Sequence, residues 1–155
     1  MSKINIVLYN PEIPQNTGNI SRTCAVTGAA LHIIRPCGFE ISDRTLKRAG
    51  LDYWDKLEVF YYDSFDEFLG KNEGAECYFF TSHTEMSFTD VTYPETVFLV
   101  FGKETAGLPR ELVDANRDRA VRIPMLPTLR CLNLSNAAAI AVYEVLRQRE
   151  FAGLV

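Results

Sequence analysis

Long apolar runs are missing from this sequence: no stretch approaches the roughly 18 consecutive apolar residues that a bilayer-spanning helix needs. The opening MSKINIVLYN is too short an apolar run for a secretory signal and reads as a strand at once, so a cytoplasmic chain with no membrane partner is expected. Metal-binding side chains are scarce as well. There are two histidines, His32 and His83, and four cysteines, Cys24, Cys37, Cys77 and Cys131, with no CxxC pair among them. That spacing offers no zinc site, and no metal is expected; intracellular thiols, mostly buried, are the reading it supports. Positive charge is not in excess either. A net charge of −4 argues against a protein that coats nucleic acid nonspecifically, though not against a local basic patch. Two glycine signatures are also absent: GxGxxG occurs nowhere, and no GxxxxGK precedes Ser or Thr. A Rossmann-type or P-loop nucleotide enzyme is thereby disfavoured.

What is present is enough apolar material for a core. With 47% hydrophobic and 23% charged residues, a chain of 155 residues suits one packed domain over 1–155. Apolar, partly β-branched runs predict strands at Ile4–Tyr9, Leu31–Ile34, Leu57–Tyr62, Cys77–Thr81, Val97–Phe101 and Ala120–Ile123. Between them lie helix signals. Asn16 is a candidate cap for a helix over Thr17–Thr27, with Gly28 as its stop. Ser42 or Asp43 can cap a basic helix ending at Gly50. Ser64 and Glu67 have capping-box spacing for a short helix through Leu69 that Gly70 closes. Pro109 suits the first position of a helix through Ala115, and a last helix is expected over Leu134–Phe151. Alternation of strand and helix from end to end, with no linker or repeat, predicts an α/β domain around a mostly parallel sheet, with helices on both faces.

In such sheets ligands bind beyond the carboxyl ends of the strands. Three segments there carry unusual polarity. In NPEIPQNTGNISR, residues Asn16, Asn19, Arg22 and Thr23 fall three or four apart and form a polar stripe on a helix, beside Gly18. FGKETAGLPRELV has Gly102 and Gly107 flanking a small loop, which can be an ordinary turn or can offer backbone groups to a ligand. In PMLPTLRCLNLSNAAAIAVYE, Asn133 or Ser135 can cap the final helix, which leaves Arg130 and Asn136 unexplained. That helix is apolar nearly all round, so it is expected to bury more than one side, as at a subunit interface. Two basic clusters, Arg44/Lys47/Arg48 and Arg117/Arg119/Arg122, read first as solvated surface and second as phosphate contacts.

Taken together and in this order, the three segments resemble the motifs of the SpoU branch of the SPOUT methyltransferases. The matching residues are Asn16, Gly18, Asn19 and Arg22; then Gly102, Glu104, Gly107 and Leu108; then Ile123, Pro124, Met125, Leu132, Asn133, Leu134, Ser135 and Ala137. LYNPEIPQNTGNISR and RAGLDYW are similar, more narrowly, to the minimal methyltransferases of the tRNA wobble nucleotide, which lack an extra RNA-binding domain. The resemblance implies a C-terminal trefoil knot, S-adenosylmethionine as cofactor with S-adenosylhomocysteine as product, and a homodimer with its site built across the interface. It implies methylation of the ribose 2′-O of cytidine or modified uridine at tRNA position 34, with the anticodon stem-loop as partner.

By matching position, the resemblance also implies roles for individual residues. Phe80, Thr81, Gly102, Ile123, Cys131 and Leu132 would touch the cofactor; the thiol of Cys131 stands where small or hydroxyl residues are common. Arg22, Asn133 and Ser135 would be catalytic. Asn16, Asn19, Glu104, Arg130 and Tyr143 would face the substrate, with Tyr53 and Trp54 as further base or ribose contacts or as core. Glu104 is expected to orient Arg22 or to stabilise its own loop. A guanidinium generally keeps its proton to above about pH 12, so Arg22 would act by positive charge or by losing a proton only transiently. The alternatives are the same chemistry at another tRNA position or on ribosomal RNA, and a noncatalytic RNA-binding module.

Overall fold

The structure is a computed structural model, and it describes residues 3–40, 56–129 and 131–155. The expected basic helix ending at Gly50, the aromatic pair Tyr53 and Trp54, and Arg130 lie outside the described residues.

Six strands form one sheet: β1 (Ile4–Tyr9), β2 (Ala30–Ile34), β3 (Val59–Tyr62), β4 (Cys77–Phe80), β5 (Val97–Phe101) and β6 (Ala120–Val121). Their order is β3-β2-β1-β5-β4-β6, and every pairing is parallel. Among the described residues four α-helices accompany them: α1 (Pro14–Thr27), α2 (Phe65–Lys71), α3 (Arg110–Ala115) and α4 (Leu134–Gln148). The two-residue alternation of strands sorts side chains to two faces. Ile4, Ile6, Leu8, Val97, Leu99 and Phe101 join Ile20 and Cys24 of α1 and Ala138, Val142 and Val145 of α4. Val7, Phe98 and Val100 point the other way, to Phe68 of α2 and Val113 of α3. The continuous apolar runs of β1, β2 and β5 are therefore what a sheet covered on both sides requires.

Most predicted boundaries hold within a residue or two, and the exceptions have identifiable causes. Asn16 is not the cap of α1. The helix starts at Pro14, whose ring suits the first turn, and Asn16 is an interior, buried residue. Gly28 does end α1, at φ 75° in the left-handed region. Ser64 caps α2 by accepting the Glu67 N–H, but Glu67 reaches back to the Asp63 N–H rather than to that of Ser64, and the helix continues through Gly70 to Lys71. Pro109 precedes α3 as its cap, with an extended ψ of 136°. The last helix stops at Gln148, because Glu150 and Phe151 are left-handed, at φ 54° and 53°.

The sheet winds outward in both directions from β1 and β5, which pair in register at Leu8 and Phe101. Loops leaving the carboxyl ends of these two strands therefore start side by side. From β6 at the sheet edge, the chain returns to place α4 against α1, β1 and β5. That path brings Ile123, Met125, Cys131 and Leu132 beside the ends of β4 and β5.

Candidate functional site

The geometry begins at Gly102, directly after β5. A Cβ built there would lie 2.0 Å from the carbonyl carbon of Gly107 and 2.1 Å from the nitrogen of Leu108. No other residue fits, since both obstacles are backbone. The loop closes on itself through the Gly107 N–H to the Lys103 carbonyl, at 2.8 Å, and Gly107 takes φ 68°.

Glu104 leaves this loop and meets the start of α1. One carboxylate oxygen accepts the Glu12 N–H at 2.7 Å, and the other accepts the Ile13 N–H at 3.0 Å. These two N–H groups stand immediately before Pro14, so a carboxylate from 91 residues away fixes how the chain enters α1, which has no side-chain cap. Its charge also sits at the positive end of the helix dipole. Glu12 returns the interaction: its carboxylate accepts both the N–H and the hydroxyl of Thr105, at 3.0 and 2.7 Å. These two bonds hold the Glu12 carboxyl below the usual carboxylate range.

The same oxygen of Glu104 that accepts from Ile13 also takes the amide N–H of Asn16, at 3.3 Å. The amide oxygen of Asn16 accepts from Asn133 at 3.0 Å. Asn133 caps α4 as expected, its oxygen accepting the N–H of Ser135 at 2.9 Å, the N–H of Asn136 at 3.3 Å and the Ser135 hydroxyl at 2.6 Å. All three polar segments are thus one network, with donors running from Ser135 through Asn133 and Asn16 to end on Glu104. Such a chain polarises itself and fixes each amide in one orientation.

Beside this network lies a cleft of about 580 Å³. Phe80, Thr81, Gly102, Ile123, Cys131 and Leu132, all six residues matched to cofactor contacts, line it. Asn16, Glu104 and Asn133 form part of its wall. Phe101 and Leu108 add apolar surface, while backbone from three strand ends supplies hydrogen-bonding groups. A cavity of this size, mostly apolar with a few fixed polar groups, suits a small organic ligand. His83, Lys103 and Thr105 also line it and were not singled out from sequence; their position just beyond strand ends was the available signal.

Other matched residues stand elsewhere. Ser135 is buried behind Asn133. Asn19 and Arg22 are exposed on α1 and do not line the cleft. Arg22 lies six residues beyond Asn16, which turns it about 120° away around the helix and about 9 Å along it. Tyr143 is 47% exposed on α4, one turn from Ile140 at 39%. Of the second basic cluster, Arg117 pairs with Asp114 and the His83 carbonyl, and Arg122 donates to the Thr84 carbonyl. Three of the four cysteines are wholly or partly buried, and burial pushes Cys24 and Cys77 up to about 12 and Cys37 up to about 11. Cys131 is exposed. Among the described residues, no group of His, Cys, Asp and Glu can hold a metal ion, and no helix is long and apolar enough to cross a membrane.

A parallel α/β sheet with a cleft bounded by Gly102 and Gly107 and three hydrogen-bonded polar segments defines a class, and likeness to known proteins gives it a family: the chain belongs to the SpoU rRNA methylase family, whose model matches residues 3–143. A Listeria innocua protein described as a candidate tRNA (cytidine(34)-2′-O)-methyltransferase is 56% identical over 154 residues, covering 97% of this chain and 91% of that protein. The tRNA (cytidine(34)-2′-O)-methyltransferase of Saccharophagus degradans is 47% identical, over 96% of this chain and 97% of its own. A solved structure concerned with the 2-OH methylation of C/U34 on tRNA superposes with a TM-score of 0.88 at 44% identity, covering 96% of this chain and 97% of that one. AviRb of Streptomyces viridochromogenes, in complex with AdoMet, superposes at 0.81 with 25% identity, over 97% of this chain and 59% of that one.

Proposed function

We propose that this protein transfers a methyl group from S-adenosylmethionine to the ribose 2′-oxygen of the wobble nucleotide, cytidine or modified uridine 34, of tRNA. The observation that carries this reading is the convergence of all six matched cofactor residues on one cleft, walled by the Asn16–Asn133–Glu104 network. Relatives named for this reaction match nearly the whole chain, which supports the position as well as the chemistry. The donor set fits the cofactor: apolar walls at Phe80, Leu108 and Ile123 for its adenosine, and loop backbone for its polar edges. The chemistry it supplies when bound is a methyl group already activated on a sulfonium.

Protein groups then have to align and activate the acceptor. The Gly102–Leu108 and 122–133 segments hold the donor side. Asn133, fixed by Asn16, and Ser135, fixed by Asn133, keep the loop before α4 in a single conformation. The guanidinium of Arg22 favours the alkoxide character of the 2′-oxygen by positive charge. Asn19, Tyr143 and Arg130 serve the RNA side, Arg130 as a phosphate contact to the anticodon stem-loop.

Arg22 faces away from its own chain's cleft, which supports a homodimer in which it serves the cleft across the interface. Exposed Val26 on α1 and Ile140 and Tyr143 on α4 give the packed helix pair an apolar outer face that suits a second copy. The trefoil knot belongs to the same reading, with the 122–133 segment threaded beyond the ends of β4 and β5.

Incubation of the protein with tritiated S-adenosylmethionine and unmodified tRNA, followed by nucleotide mapping, tests the assignment. Label at the 2′-oxygen of nucleotide 34 is expected. No transfer to either cytidine or uridine wobble tRNAs overturns it, and label in ribosomal RNA or at another tRNA position moves the substrate. Light scattering checks the dimer: the protein is expected at twice its chain mass, and Ile140→Glu at one.

A further inference from the structure

We propose that Glu12 is a positioning residue of the cofactor cleft: its carboxylate pins the tip of the Lys103–Gly107 loop, through Thr105, to the start of α1. The proposal rests on the cofactor reading given above.

The loop is closed at its base by the Gly107–Lys103 backbone bond. Its tip, Thr105 and Ala106, is exposed and forms part of the cleft wall. Glu104 ties the near side of the loop to the start of α1, which leaves the tip at Thr105 and Ala106 to be ordered, and a wall that a ligand must order costs binding energy. Glu12 reaches that tip from the neighbouring loop after β1 and takes both donors of Thr105 on a single oxygen. Lys103 nearby favours its negative charge.

The two carboxylates cross, and their jobs separate. Glu104 holds the backbone of Glu12 and Ile13, and with it the helix that carries Arg22. The side chain of Glu12 holds the cofactor loop. Truncating that side chain leaves the Glu104 bonds intact, because they end on backbone N–H groups. Loss of Glu12 is therefore a cofactor-affinity defect and not a transfer defect.

Calorimetric titration with S-adenosylhomocysteine, together with amide exchange at Thr105 in the ligand-free protein, tests this. Glu12→Ala is expected to weaken binding roughly tenfold and Glu12→Gln, which keeps a neutral acceptor, roughly threefold. At saturating S-adenosylmethionine, kcat of Glu12→Ala should stay within about twofold of the parent while KM for the cofactor rises. The Thr105 amide should exchange faster in Glu12→Ala without any ligand. Thr105→Val removes the hydroxyl half of the contact, and should weaken binding in the parent but add little to Glu12→Ala. It also reports on the contact if Glu12→Ala fails to fold. Unchanged affinity with unchanged Thr105 exchange overturns the proposal, as does a fall in kcat at unchanged affinity. If the parent itself does not bind S-adenosylhomocysteine, the cofactor reading fails, and Thr105 exchange still decides whether Glu12 pins the loop.

Discussion

Asn16 and Asn133, separated by 117 residues, hydrogen-bond through their side-chain amides at 3.0 Å, and each is oriented by what lies on its other side. Asn16 is committed to give its N–H to Glu104, and Asn133 to accept from the first turn of α4. Neither amide can flip without breaking at least two bonds.

Asn16→Ala strands the Asn133 donor and is expected to cost about 2 kcal/mol in urea unfolding. Asn16→Asp should be worse at neutral pH. It sets a second carboxylate where an N–H now sits 3.3 Å from Glu104. Acidification protonates one of the two acids and restores a donor, so the gap between the variants should shrink as pH falls.

Gly102→Ala places a methyl against backbone on two sides. The strand end and the loop cannot both keep their positions. A loss of about 3 kcal/mol or more in stability is expected, with cofactor binding abolished in whatever folds. Calorimetry and thermal unfolding check the two effects separately.

Mixing two variants of the proposed homodimer tests where Arg22 works. Arg22→Ala should retain S-adenosylhomocysteine binding, because Arg22 does not line the cleft, yet lose methyl transfer. Cys131→Trp should fill the cleft and lose both. Unfolded, mixed in equal amounts and refolded, the two variants should recover about a quarter of parental activity if Arg22 serves the opposite cleft. No recovery places Arg22 at its own.

His32 makes stability depend on pH. It is buried on β2 between the Tyr62 hydroxyl, at 2.9 Å, and the Asn5 amide oxygen, at 3.0 Å, under Phe60, Phe68 and Phe98. Burial pushes its pKa down to about 4, only partly offset by the charge of Glu58. Between that value and the ordinary 6.5 the unfolded chain binds the proton and the folded one does not. Stability from this group should therefore fall as pH drops from about 6.5 towards 4, by up to roughly 1.4 kcal/mol per unit. Urea midpoints at pH 7 and pH 5 should show that slope, and His32→Leu, less stable at pH 7, should show less of it.

Strand positions, the stop at Gly28 and the cap at Asn133 were readable because each depends on residues that are neighbours in the chain. Ser64 with Glu67 is a similar case. The start of α1 was not readable. An Asn near a helix start ordinarily signals a cap, but here Pro14 opens the helix and Glu104 holds the backbone just before it, a tie that no local pattern reveals. Glu12 was missed for the same reason: a loop glutamate acquires meaning only when β1 and β5 lie side by side. Bare spacing marked the three polar segments. Assigning six of their neighbours to one cleft required the family resemblance, because those residues sit beyond four different parts of the sheet and loops.

Every bond that joins the three polar segments spans between 88 and 117 residues. All six strands precede residue 122, whereas Asn133 and the helix it caps come last. A chain still emerging from the ribosome therefore holds every described strand well before it owns a finished site. Competence to act on RNA waits for Asn133 and α4, the same segment that supplies Ala138, Val142 and Val145 to one face of the core.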